Sequence, residues 1–222
     1  MGILMRVVPP VPALDTGARA LLERLRVAPS TLNNQYTATY LEEAPLDGAG
    51  MRCRNIAKYY QRRAGAKVLL VSQAPGYLGA RWSGIPLTDT ESVASGRLGE
   101  DYEFSLVRTE PSSQAVHEGL ATRWSDVLLW SAVPWHPAGS CLDSNRKPSQ
   151  IEVSAGIEVL EYLLAHAEFR AVAAVGDVAS GALDKLRVRH RVLPHPFYAG
   201  RDACIEGVRA FVTDVFRSNA IL

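Results

Sequence analysis

Cysteine is scarce in this chain. Its three cysteines, Cys53, Cys141 and Cys204, lie far apart and form no C-x-x-C pair, so one chain cannot assemble a zinc ribbon or a four-thiolate iron–sulfur cluster. No metal or cofactor is expected. No apolar run reaches the length of a membrane span, and Met5-Arg6-Val7-Val8-Pro9-Pro10 holds no signal-peptide core, so a cytoplasmic protein without a membrane partner is expected. Charge of one sign is also missing: 24 basic against 23 acidic residues give a formal net charge of +1, which neither supports nor excludes a polyanionic partner. The chain has no G-x-S-x-G elbow, no phosphate loop ending in Gly-Lys-Ser/Thr and no G-x-G-x-x-G, which removes the familiar α/β hydrolase and nucleotide-binding signatures.

What is present is ordinary globular composition, 47% apolar and 21% charged over 222 residues, enough for one core. We expect a single domain over residues 1–222, with residues 1–50 as an N-terminal extension. Pro9, Pro10 and Pro12 mark an extended lead-in. Asp15 or Thr16 then caps a helix striped by Leu21, Leu22 and Leu25, and residues 28–50 are rich in loop formers. Residues 51–63 have the pattern of a basic amphipathic helix, turning Ile56, Tyr59 and Tyr60 inward and leaving Arg52, Lys58, Arg62 and Arg63 in water. Continuous apolar runs predict buried strands at 68–71, 124–133, 171–176 and 191–193. Helices are predicted from Pro148-Ser149 to about His166, buried through Ile151, Ile157, Leu160 and Leu164, and over 178–186 and 202–216. Residues 91–120 give no firm pattern. Strands alternating with helices predict a parallel sheet covered on both faces.

The first strand opens into Ser72-Gln73-Ala74-Pro75-Gly76-Tyr77-Leu78-Gly79-Ala80-Arg81-Trp82-Ser83-Gly84-Ile85-Pro86-Leu87-Thr88, whose glycines let main-chain N–H groups approach a ligand at a strand end. Two more segments follow strands in the same way: Leu128-Leu129-Trp130-Ser131-Ala132-Val133-Pro134-Trp135-His136-Pro137 and Leu193-Pro194-His195-Pro196-Phe197-Tyr198-Ala199-Gly200. Together, and in this order, the three resemble the motifs of the uracil-DNA glycosylase superfamily, over roughly residues 49–216 and with the character of a divergent bacterial member.

That resemblance implies a three-layer α/β/α fold around a central four-stranded parallel sheet. It also implies a monofunctional DNA glycosylase acting in base-excision repair at the nucleoid. Its partner would be DNA carrying a deaminated or damaged base, with no obligate protein partner. Such an enzyme hydrolyses the bond between deoxyribose and base after flipping the nucleotide out of the duplex, and must stabilise positive charge on the sugar and negative charge on the leaving base. By resemblance His195 donates a hydrogen bond to the departing base, and Gln73 stands where relatives carry glutamate. An amide cannot act as a general base, but it can orient a water. Ala74, Pro75, Gly76, Tyr77 and Ser131 are the expected base-binding residues.

Three departures bear on specificity. Ser131 replaces an asparagine that reads the base edge, Gly76 replaces an aromatic wall found in uracil-restricted members, and Phe197 replaces the serine of His-Pro-Ser. Asp89 or Glu91 is a candidate water-side carboxylate, against the plainer reading of a solvated loop. Asn145, Arg146, Phe197, Tyr198, Gly200 and Arg201 are expected to touch DNA; for residues 144–149 ordinary helix capping by Ser149 is the alternative. Trp130 fits the core better than a base contact, whereas Trp135 and His136 fit either. A second function class, a catalytically weakened DNA- or lesion-binding module on the same fold, is motivated by Gln73, Ser131 and Phe197.

Overall fold

The computed structural model describes residues 14–99 and 101–217. The proline-rich lead-in lies outside them. Asp15 caps α1 (Thr16–Leu25), its carboxylate accepting from the Ala18 N–H at 2.7 Å, and Leu21 and Leu25 disappear into the core. The described part of the first fifty residues is therefore packed into the main core, through Leu21, Leu25, Tyr36 and Tyr40.

Helix α2 (Gly48–Arg62) begins three residues earlier than its pattern suggests, capped by Asp47. Its basic residues depart from expectation: Arg52, Lys58 and Arg63 are buried. Residues 35–43 and 101–103 wrap over the helix and supply partners. Arg52 pairs with the buried Glu43 and donates to the Gln35 carbonyl, Lys58 meets Asp101, and Arg63 lies over the Tyr59 and Trp124 rings. Of the four residues expected in water, only Arg62 stays partly wet, in a two-bond pair with Asp101. Burying a cation costs stability unless opposite charges, acceptors or aromatic faces meet it, and sequence periodicity does not reveal the segments that supply them; Arg63 Nε is buried without a hydrogen-bond partner and relies on the rings.

The sheet comprises β1 (Val68–Ser72), β2 (Val127–Ser131), β3 (Ala171–Val175) and β4 (Arg191–Leu193), all parallel in the order β2-β1-β3-β4. Every residue of β1 and β2 is buried, which is why both segments are apolar up to their final serines. β2 is shorter than the expected 124–133, because residues 121–126 form a 3-10 turn leading into it. Between β1 and β2, α3 (Ala80–Ser83) lies in the motif loop, and the patternless stretch holds most of α4 (Thr90–Ala94) and all of α5 (Pro111–Leu120).

Helix α6 (Gln150–His166) starts with a capping box between Ser149 and Glu152. Its buried face is Val153, Gly156, Val159, Leu160 and Leu163; Ile157 and Leu164 are only half-buried, and Ile151 is 79% exposed. The cap, rather than the first apolar residue, sets the rotation of the helix. Helices α7 (Asp177–Lys185) and α8 (Arg201–Arg217) complete the chain. α1 packs against α2 and α6, and α5 against α8, flanking the sheet as an α/β/α arrangement. Among the described residues no helix is long and apolar enough to cross a membrane.

Candidate active site

Parallel strands end together, so the segments after β1, β3 and β4 share one edge of the sheet. There they enclose a cleft of about 540 Å³ that brings Gln73, Lys147, Asp177, His195 and Tyr198 together. Gln73 and His195 come from positions more than a hundred residues apart.

His195 is held in one chemical form. The Phe197 main-chain N–H donates to its Nδ1 at 3.2 Å, and the His195 carbonyl accepts from the N–H groups of Tyr198 and Ala199 at 3.2 and 2.9 Å. Burial pushes its pKa below the ordinary histidine value, and the nearby Asp177 carboxylate opposes that only in part. With Nδ1 accepting, the neutral ring carries its proton on Nε2, leaving one N–H donor for a ligand. Phe197 thus serves through its backbone, which any residue but proline would supply. Its ring is 81% exposed and meets the exposed Tyr198 edge-on at 5.2 Å. Gly176, with φ of +82°, turns the chain out of β3 and keeps the space beside the His195 ring open: a Cβ there would stand 3.0 Å from the His195 Cβ and Cδ2.

The loop after β1 is pinned from three sides. Asn145 Oδ1 accepts from the Tyr77 N–H at 3.0 Å, Trp82 Nε1 donates to the Tyr77 carbonyl at 2.7 Å, and His136 Nδ1 meets the Pro75 carbonyl at 2.9 Å. His136 and Trp135 are fully enclosed, and Trp135 Nε1 donates to the Leu25 carbonyl at 2.8 Å; both shape the site without facing it. Trp130 is likewise core.

Other expected site residues fall elsewhere. Ser131 is buried with its Oγ 3.2 Å from the Ser72 Oγ, its partner in register across β1 and β2, and it does not line the cleft. Arg146 donates to both carboxylate oxygens of Glu152 at 2.7 and 2.6 Å and to the Thr31 carbonyl at 2.9 Å, which commits its guanidinium within the fold. Arg201 pairs with Glu118 on α5, and Gly200 turns into α8 with φ of +96°.

Neither candidate acid is a solvated loop residue. Asp89 is fully buried and accepts from the Ser92 N–H, the Glu110 N–H and Gln114 Nε2 at 2.9, 2.8 and 2.8 Å, while Glu91 accepts from the same Gln114 amide at 2.9 Å. Asp89 is therefore an anchor between α4 and α5, with its lone pairs occupied. Three residues not named among the expected site residues stand out instead, Lys147 from within the 144–149 run. Asp177 and Lys147 line the cleft, and the Glu110 carboxyl abuts the loop after β1. The signal for Asp177 was its place directly after a strand; nothing in the sequence marks Glu110.

The family described as the uracil DNA glycosylase superfamily matches residues 58–211, more than half of the chain. No curated protein matches. Among solved structures, wild-type Pedobacter heparinus SMUG2 superposes with a TM-score of 0.65, covering 91% of this chain and 97% of that one at 15% identity, which establishes a shared fold.

Proposed function

Since the chain belongs to the uracil-DNA glycosylase superfamily, we propose that it hydrolyses the N-glycosidic bond of a flipped uracil or other altered base in DNA, leaving an abasic site in base-excision repair at the nucleoid. The observation that carries this reading is the neutral, Nδ1-accepting His195 at the strand-edge cleft it shares with Gln73.

As the glycosidic bond lengthens, electrons move onto the base and positive charge gathers on the sugar. The His195 Nε2–H donates to the base oxygen where the anion develops, and a fixed donor there contributes about 3 kcal/mol to the transition state. Gln73 accepts from a water and turns its lone pair toward the sugar carbon. The departing bond is already largely broken, so orientation of that water suffices without a strong base, and the proton it loses on adding to the sugar cation neutralises the departing base anion. The exposed Tyr198 ring lines the cleft with the Phe197 ring against it, an aromatic pair suited to holding an unstacked strand open, and Lys147 offers an ammonium to phosphate. Ala74, Pro75, Gly76 and Tyr77 border the base through shape, with their loop fixed by Asn145.

The test is base release from uracil-, hypoxanthine-, xanthine- and alkylated-base oligonucleotides, single- and double-stranded, with His195→Ala as the control. Release of none refutes the enzyme. The burial of Ser131 against Ser72 favours one second reading, a lesion-binding module that has lost turnover. Salt-sensitive binding to abasic DNA without base release, unchanged in a Gln73→Glu/Ser131→Asn double variant, supports that alternative.

A further inference from the structure

Gly76 and Gly79 present bare main chain to α5, and the Glu110 side chain fills that space. A Cβ at residue 76 would lie 1.6 Å from Glu110 Oε1, and one at residue 79 would lie 1.9 Å from Oε2. The carboxyl therefore occupies the volume that a side chain at position 76 would take, on the same loop that carries Gln73 into the cleft.

Its backbone is locked. The Glu110 N–H donates to Asp89 Oδ2 at 2.8 Å, its carbonyl accepts the Gln114 N–H at 3.0 Å, and Pro111 starts α5 immediately after it. As the residue capping α5, it would ordinarily turn its carboxylate onto the helix N–H groups, yet it makes no such bond. Among the described residues no donor or cation engages it. A half-buried carboxyl with no partner costs stability, and a leucine or glutamine would fill the same space at lower cost. Its retained hydrogen-bonding capacity is therefore available to something that enters.

Building on the glycosylase reading, we propose that Glu110 is a base-reading residue, closing the base pocket beside Gly76 and selecting a flipped base that lacks bulk there and presents a complementary donor and acceptor. A neutral carboxyl carries one O–H donor and one C=O acceptor, the pair needed for an amide-like base edge. Its surroundings favour that form: burial, and then the Asp89 charge, raise its pKa to about 7. The charged and titratable groups around it are few. Asp89 flanks it, Glu91 shares the Gln114 amide with Asp89, Arg108 on its own segment is turned over the Trp82 ring, the opposing loop carries the Tyr77 phenol and an Arg81 paired with Asp143, and on the α8 side Arg201 is paired with Glu118.

The experiment compares the full-length protein with Glu110→Ala and Glu110→Gln in single-turnover release of uracil and of thymine opposite guanine, between pH 5.5 and 8.5, with melting curves confirming that each is folded. Glu110→Ala should raise the thymine-to-uracil rate ratio at least tenfold by opening the wall. Glu110→Gln should keep the wall and flatten the pH dependence of uracil release around pH 7. Uracil release with an unchanged rate ratio in Glu110→Ala overturns the proposal and leaves the glycosylase reading intact. A uniform loss of rate for both bases also overturns it, because the carboxyl then acts on the attacking water. No release of any base by the unaltered protein overturns both.

Discussion

Replacing Glu110 by glutamine changes one atom's chemistry and should make the protein more stable above neutrality. An ordinary glutamate titrates near 4.5, whereas burial and the Asp89 charge raise Glu110 to about 7 in the fold. Each pH unit between folded and unfolded values is worth ~1.4 kcal/mol, so the charged form is disfavoured in the folded protein by about 3 kcal/mol. The side chain is partly exposed, so ~2–3 kcal/mol is the expected effect. The sign follows from proton linkage. A carboxyl whose folded pKa lies above its unfolded value contributes stability that is fully present below about pH 4.5 and is lost as pH rises through about 7. Glutamine keeps the shape and never carries the charge. Glu110→Gln should therefore match the parent protein near pH 4.5 and exceed it by ~2–3 kcal/mol at pH 8. Urea unfolding at half-unit pH intervals measures this directly, as a midpoint difference that opens between pH 5 and 7.5 with unchanged slope. A difference that is flat with pH, or a variant less stable at pH 8, would refute the placement of a desolvated carboxyl at the loop.

The glycines opposite give a linked test. Gly76→Ala should destabilise the fold by ~1–3 kcal/mol, because its Cβ would meet Glu110 Oε1, and adding Glu110→Ala should recover most of that loss in a double-mutant cycle. His195→Ala should lower the single-turnover rate of base release ~10²–10³-fold while DNA affinity changes little, measured by oligonucleotide cleavage and by anisotropy. Arg146→Ala removes the counter-charge of the buried Glu152 carboxylate, whose pKa the guanidinium, with Thr31 and Ser149, holds down at about 2; it should cost ~3 kcal/mol in chemical unfolding and leave the salt dependence of DNA binding unaltered. In the core, Leu70→Ala removes a fully buried side chain of β1 and should cost ~2–5 kcal/mol, a melting-temperature drop of several degrees in calorimetry.

The amino-acid order by itself determined the sheet and the sites where its strands end. Residues 68–71 and 127–130 are apolar throughout because water reaches neither face, and a parallel sheet places their exits at one edge. The His-Pro segment after β4 could be recognised for the same reason: its neighbours in sequence, Pro194, Pro196 and the Phe197 N–H, are also the groups that fix its geometry. Tertiary packing decided whatever depended on partners distant in the chain. Arg52, Lys58 and Arg63 carry the pattern of a wet helix face, and only the loops that fold over them put them inside. Ser131 ends a strand as a pocket residue would, but its hydroxyl meets that of Ser72, its register partner, within the sheet. Arg146 has the composition of a phosphate contact, but Glu152 claims it. Glu110 lies in a stretch with no periodicity, thirty-four residues from Gly76 along the chain, and only the packing of α5 against the loop gives its carboxyl a place to act. Local periodicity records which side chains avoid water; which polar groups find each other is a property of the folded chain.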